Sequence, residues 1–184
     1  MKNIYNEIKA LSPVPIYEVD IQKFCKKYGK YDKRYSLEQK AKEFGKESSI
    51  SGYYIPHIFN VPSSCFYYNK KFILIEKSLN KFEKLRVLLH EIGHSLDLNL
   101  NNKSYNEREL EAEMYALRQI LKIKSKEIAK YFMEKYENKR KDFTVAFDLP
   151  YGSENLILND DGYLNKIVAT KEYKQLKRML NNVK

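Results

Sequence analysis

Two of the three histidines in the chain lie four residues apart, in the segment LLHEIGHSLDL. His90 and His94 are about one helical turn apart, and Glu91 directly follows the first of them. Residues i and i+4 share one face of a helix, so both imidazoles can bind one metal ion. Neutral imidazoles hold Zn²⁺ without cancelling its charge, and an adjacent carboxylate can take a proton from an attacking water. The spacing therefore predicts a hydrolytic zinc site with His90 and His94 as ligands and Glu91 as catalytic base.

The helix that must position this motif is predicted to run from about Asn80 to Leu98. At about 100° per residue, its apolar side chains fall on one stripe, and the two histidines lie about 140° and 180° away from Leu85 in that stripe. Packing of the stripe does not account for the histidines, which favours a functional metal site over a chance motif. The stripe consists of Phe82, Leu85, Leu88, Leu89, Ile92 and Leu96.

A catalytic zinc site needs a third protein ligand. The remaining histidine, His57, is the weaker candidate because it lies beside Pro56 in a strand-like segment. The stronger candidates are the glutamates of a second predicted helix, which runs from about Tyr105 to Lys122. Their positions around the helix do not by themselves select one carboxylate as the ligand. Its apolar stripe is predicted to be Leu110, Met114, Leu117 and Leu121. Its glutamates are Glu107, Glu109, Glu111 and Glu113.

The remaining patterns indicate an α+β fold in which helices precede and follow a small sheet. Short helices are predicted at Asp20–Gly29, with Asp20 as N-cap, and at Ser36–Gly45, and two or three strands between Ile50 and Glu76. A third long helix is predicted over 125–139, a closing helix over 171–180, and strands over 142–150 and 154–168, the second turning at Asp160–Gly162. We expect one domain of 184 residues, with 1–19 as a lead-in and about 135–184 as a small β-containing appendage.

Composition narrows the class of protein. The chain has 34 Lys and Arg against 24 Asp and Glu, a net charge of +10. The excess of positive charge lies in the N-terminal and C-terminal parts of the chain, and no arginine cluster alternates with aromatic residues. We therefore expect a solvated basic surface and do not favour nucleic-acid binding. No apolar run of about 18 residues predicts a membrane span, and the first residues contain no signal peptide, which together predict a cytoplasmic protein.

The motif and the segment EAEMYA about twenty residues later resemble the ImmA/IrrE family of zinc metallopeptidases. That family shows HExxH followed by a helix with a Glu-Ala-(Asn/Asp)-x-(Phe/Tyr)-Ala pattern, and residues 111–116 fit it with Glu113 at the Asn/Asp position. The resemblance covers roughly Asp20 to Tyr131. It implies Zn²⁺ bound by His90, His94 and Glu111. Glu107 stays open as the alternative third ligand, because helix geometry alone does not exclude it. It also implies a small gluzincin-like domain in which a short antiparallel or mixed sheet packs on the HExxH helix.

The function implied by the resemblance is an intracellular zinc endopeptidase that cleaves one regulatory protein, a helix-turn-helix repressor of a mobile element or stress response. One alternative is a non-catalytic zinc-containing regulatory or nucleic-acid-binding protein, and another is an exported protease of a different gluzincin family. Glu91 argues against the first alternative, since a structural zinc site needs no base. We also predict that Lys71–Glu76 is an edge strand that aligns the substrate. Asp97 and Glu113 are candidates to support the histidines.

Overall fold

The computed structural model describes residues 2–28, 52–55, 71–98, 102–146 and 165–181. The chain divides into two compact units, Met1–Leu96 and Asp97–Lys184. The described residues are mostly helical and contain one small sheet, which confirms the predicted α+β class. Within these residues, no helix combines the length and the apolar character that crossing a membrane requires.

The first unit is built on a small sheet with helices around it. Asp20 caps α2 as predicted, because its Oδ1 accepts a hydrogen bond from the backbone N–H of Lys23 at 2.9 Å. Residues 1–19, which were predicted to be a lead-in, contain a helix and a strand. The strand was not predicted because four residues are too few to show its periodicity in the sequence. The elements are α1 Lys2–Lys9, β1 Ile16–Val19, α2 Ile21–Tyr28, β2 Gly52–Ile55, β3 Phe72–Glu76 and α3 Lys81–Leu96.

β3 is the central strand of the sheet, whose order is β1-β3-β2. β1 pairs with it in parallel and β2 pairs with it antiparallel, so the sheet is mixed. Residues 72–75 are fully buried, as expected for a strand covered on both faces. Both hydrogen-bonding edges of β3 are occupied by neighbouring strands. The prediction that Lys71–Glu76 forms a substrate-aligning edge is therefore wrong.

Helix α3 begins at an asparagine cap and packs on the sheet. Asn80 Oδ1 accepts hydrogen bonds from the backbone N–H groups of Phe82 and Glu83, each at 3.0 Å. The helix packs against β2 and β3, which confirms that the sheet lies on the HExxH helix. Its apolar stripe is confirmed in the middle but not at the ends, because Phe82 is half-buried and Leu96 is exposed. The buried apolar side chains are Leu85, Val87, Leu88, Leu89 and Ile92.

The second unit consists of helices in its described part: α4 Tyr105–Ile123, α5 Lys126–Ala146 and α6 Lys171–Asn181, with a short helix at 165–169. α6 packs against both α4 and α5. The predicted strands at 142–150 and 154–168 are wrong where the structure describes them, because 142–146 continue α5 and 165–168 are helical. Propagating an existing helix adds one hydrogen bond per residue without a new nucleus, which outweighs the strand preference of Thr144 and Val145.

Several predictions fall outside the described residues. They concern His57, the helix at 36–45, the strand-like segment at 64–69 and the turn at Asp160–Gly162.

Candidate metal centre

The structure brings His90 and His94 together on one face of α3. Their Nε2 atoms are 3.0 Å apart, and the two rings are nearly perpendicular, at 87°. Two Zn–N bonds of about 2.0–2.1 Å at a tetrahedral angle place their nitrogen atoms about 3.3 Å apart. The two imidazoles therefore have nearly the separation of two ligands on one ion.

The facing nitrogens restrict what can lie between them. If both rings carry their proton on Nδ1, two lone pairs face each other, and if both rings are charged, two N–H groups do. A proton on one of the two Nε2 atoms, in an N–H···N hydrogen bond, or a metal ion between two neutral rings avoids both repulsions. The pair is thus arranged to share either one proton or one metal ion.

Glu91 follows His90 directly and is only 7% exposed. Farther toward the start of α3, Arg86 Nη2 donates to Glu83 Oε1 at 2.9 Å. Arg86 and Glu83 thus form an ion pair near the histidines. The acidic group next to the histidine pair in sequence is therefore the Glu91 carboxylate.

The four glutamates of α4 separate into two pairs by their position around the helix. At about 100° per residue, Glu109 and Glu113 lie on the side of the buried residues, whereas Glu107 and Glu111 lie on the opposite side. The buried side differs from the predicted stripe, of which Leu117 alone is buried. Alanines allow close helix packing, so the buried side is set by small residues that a search for large apolar side chains overlooks. The buried residues are Ala112, Glu113, Ala116, Leu117 and Ile120.

Glu107 is committed to the start of its own helix. Its carboxylate accepts hydrogen bonds from the backbone N–H and the Oγ of Ser104, at 2.8 and 2.7 Å, while the Ser104 side chain accepts from the Glu107 N–H. These hydrogen bonds from Ser104 hold the pKa of Glu107 below its ordinary value. This capping box makes Glu107 a poor choice as a metal ligand.

Glu111 is engaged by a lysine of its own unit. Lys103 Nζ donates to the Glu111 carboxylate and also to Asp97 Oδ1, the latter at 2.9 Å. The hydrogen bonds to Glu111 and Asp97 raise the pKa of Lys103. About half of the Glu111 side chain is exposed, at 52%. Both Glu111 and Asp97 thus have roles in an ion-pair network of the second unit.

Glu113 lies in the interior of the second unit. Its carboxylate accepts a hydrogen bond from the Tyr136 hydroxyl of α5. The Tyr136 ring packs edge-on against Tyr173 of α6, with 6.0 Å between ring centroids. Glu113 is therefore held in a buried polar contact between α4 and α5, and the Tyr136 ring connects that contact to α6.

Among the described residues, one group of three ligand-bearing side chains could hold a metal ion: His90, His94 and Glu109. Two of the predicted ligands are in this group, with Glu109 in place of Glu111. Two imidazoles and one carboxylate are a donor set of catalytic zinc sites, so the residues fit the metal. One sequence signal separates Glu109 from the other glutamates of α4. Glu109 lies three, four and seven residues before the buried Ala112, Glu113 and Ala116, so it shares their face of the helix. No family model, curated protein or solved structure matches the chain.

Proposed function

We propose that the protein is a zinc-dependent endopeptidase whose metal ligands are His90, His94 and Glu109. The observation that carries the proposal is the 3.0 Å separation of the two histidine Nε2 atoms on a helix whose intervening Glu91 is buried. When bound, Zn²⁺ lowers the pKa of a coordinated water to about 7 and polarises a carbonyl oxygen. Glu91 accepts a proton from the attacking water and returns it to the leaving amide nitrogen.

Glu109 is preferred to Glu111 as the third ligand for two reasons. Glu109 lies on the buried side of α4, whereas Glu111 lies on the opposite side and forms an ion pair with Lys103. Using Glu111 would also require breaking its charge-assisted hydrogen bond, which is stronger than a neutral one. The family pattern nevertheless points to Glu111, so the two carboxylates need a direct comparison.

The substrate class follows from the resemblance to ImmA/IrrE metallopeptidases. We propose that the enzyme acts inside the cell on one regulatory protein, a helix-turn-helix repressor of a mobile element or stress response. The HExxH helix packed on a mixed sheet supports a gluzincin-like domain. Since β3 is central and α3 packs against β2, an extended substrate would align along β2.

The first experiment compares the parent protein with Glu91→Gln. Zinc content is measured by elemental analysis, and each protein is then incubated with any helix-turn-helix protein encoded beside its gene and with an unfolded protein. We expect one zinc per chain in both and cleavage by the parent alone, because glutamine cannot act as a base. A parent that binds no zinc, or equal cleavage by both proteins, would contradict the proposal. Zinc binding without cleavage of any repressor or unfolded protein would favour the non-catalytic alternative.

The second experiment identifies the third ligand with a matched pair of variants. Glu109→Gln and Glu111→Gln each remove one negative charge from the same helix, so their long-range electrostatic effects are comparable. Zinc affinity is measured by competition with a chromogenic chelator. We expect Glu109→Gln to lose at least tenfold in affinity and Glu111→Gln to change it less than threefold. The reverse order would assign the ligand to Glu111 and leave the peptidase proposal intact.

A further inference from the structure

The closing helix α6 presents a row of cations on the side that faces away from its packing partners. Lys171, Lys174, Lys177 and Arg178 are exposed and fall within an arc of about 120° at 100° per residue. The opposite side carries the buried Tyr173 and Leu176, and α6 packs there against α4 and α5. The orientation of the cationic row is thus fixed by the core of the second unit.

These charges have little compensation nearby. Residues 165–181 contain five Lys and Arg and one acidic residue, Glu172. Glu172 is buried and accepts a hydrogen bond from Arg118 Nε at 3.1 Å, so it is already neutralised. Arg118 and Glu172 therefore offset each other and leave the charges of the row uncompensated. In the described part of the chain, no carboxylate forms an ion pair with Lys174, Lys177 or Arg178.

The exposed surface of α5 differs in this respect. It carries both signs of charge, for example Lys130 and Glu134, whose charged groups are 3.9 Å apart. Among the side chains that the structure describes in these three helices, the excess of positive charge therefore lies on α6. Concentration on one face creates a local field that an evenly mixed surface lacks.

The form of the row selects among anionic partners. The apolar side of α6 is buried in the protein, so the helix cannot insert into a bilayer as an amphipathic membrane helix does. A rise of about 1.5 Å per residue places Lys171 and Arg178 about 10 Å apart along the axis. One strand of DNA carries a phosphate every ~3.4 Å along its axis, so the row spans about three phosphate-to-phosphate intervals, which is about four phosphates. Contacts from lysine and arginine to phosphate oxygens carry no sequence information directly.

We propose that the cationic face of α6 binds the phosphate backbone of duplex DNA without sequence preference. This binding needs neither metal nor peptidase activity. For an enzyme whose substrate is itself a DNA-binding protein, a shared attachment to DNA raises the local concentration of each near the other. The proposal also gives the basic C-terminal flank a specific role.

The experiment measures binding of two fluorescent duplexes of unrelated sequence by anisotropy, across a series of NaCl concentrations. Four neutralised phosphates predict a slope of log K against log salt of about −3.6. A variant with Lys174→Ala, Lys177→Ala and Arg178→Ala should reduce that slope by about 2.7 units. The matched control removes three exposed lysines elsewhere in the unit, through Lys122→Ala, Lys126→Ala and Lys130→Ala, and should change the slope by less than about 1. Thermal unfolding of each variant verifies that it folds.

Three results would overturn the proposal. The first is a parent that does not bind either duplex at 50 mM salt. The second is an equal loss of binding in the α6 variant and in the control, which would reflect net charge alone. The third is a parent that ignores DNA but binds vesicles containing phosphatidylserine, which would assign the face to a membrane surface. Comparable affinity for both duplexes, lost only in the α6 variant, supports it.

Discussion

Removing one hydroxyl group from Tyr136 is expected to destabilise the second unit by about 2–3 kcal/mol. The Tyr136 hydroxyl donates to the Glu113 carboxylate, and the two residues are 4% and 2% exposed. Removing the donor from a buried acceptor costs about 1–3 kcal/mol, and the upper half applies because the Glu113 side chain is almost fully buried. Phenylalanine retains the ring and its contact with Tyr173, so no large packing loss is added.

Urea unfolding at pH 7, followed by circular dichroism, gives the free energy of unfolding of Tyr136→Phe and of a control, Tyr115→Phe. Tyr115 is half-buried, and among the described residues its hydroxyl has no hydrogen-bond partner, so the control should change stability by less than about 0.5 kcal/mol. A double-mutant cycle with Glu113→Gln isolates the pair from other contacts of Glu113, and we expect a coupling energy above about 1 kcal/mol. Equal effects of the two tyrosine variants, or a coupling energy near zero, would refute the reasoning.

Three further predictions concern the frame around the site. Burial raises the pKa of Glu18, but the hydrogen bond and charge of Lys84 at 2.7 Å outweigh it and hold that pKa below 4.5. The stability that this ion pair contributes is present above about pH 4.5 and is lost as the pH falls through the lowered pKa of Glu18. The free energy of unfolding in urea should therefore differ between pH 7 and pH 3 by up to about 1 kcal/mol less in Lys84→Met than in the parent. An unchanged difference between the two pH values would contradict this. Ile73→Pro removes the N–H that donates to Pro15 O at 2.9 Å and should unfold the first unit, whereas a folded variant that lost only cleavage would argue that β3 is an edge. Ser104→Ala should cost about 1 kcal/mol of unfolding free energy through loss of the helix cap, and Ser104→Gly only a few tenths; equal costs would argue against the cap.

Features that depend on neighbouring residues could be predicted from the sequence. The period of α3, the cap of α2 at Asp20 and the spacing of His90 and His94 are all local, and the structure agrees with each. Features that depend on distant pairing could not. The four residues of β1 carry no distinctive pattern, and the central position of β3 follows from partners more than 15 residues away on either strand.

The third ligand shows the same limit on a smaller scale. Four glutamates alternate along seven residues of α4, so composition favours none of them. The choice depends on which side of the helix is buried, and that side is marked by Ala112 and Ala116 and not by the larger leucines. Once those alanines are known to face inward, helical geometry places Glu109 on their side and Glu111 on the other.

The order of strands in the sheet has a consequence for synthesis of the protein. β1 and β2 both precede β3 in the chain, yet within the described sheet each of them pairs with β3 alone. As the polypeptide leaves the ribosome, the two outer strands emerge before the segment that joins them. β1 and β2 therefore cannot form their native strand pairs until Glu76 has left the ribosome, so the sheet forms only after all three strands have been synthesised.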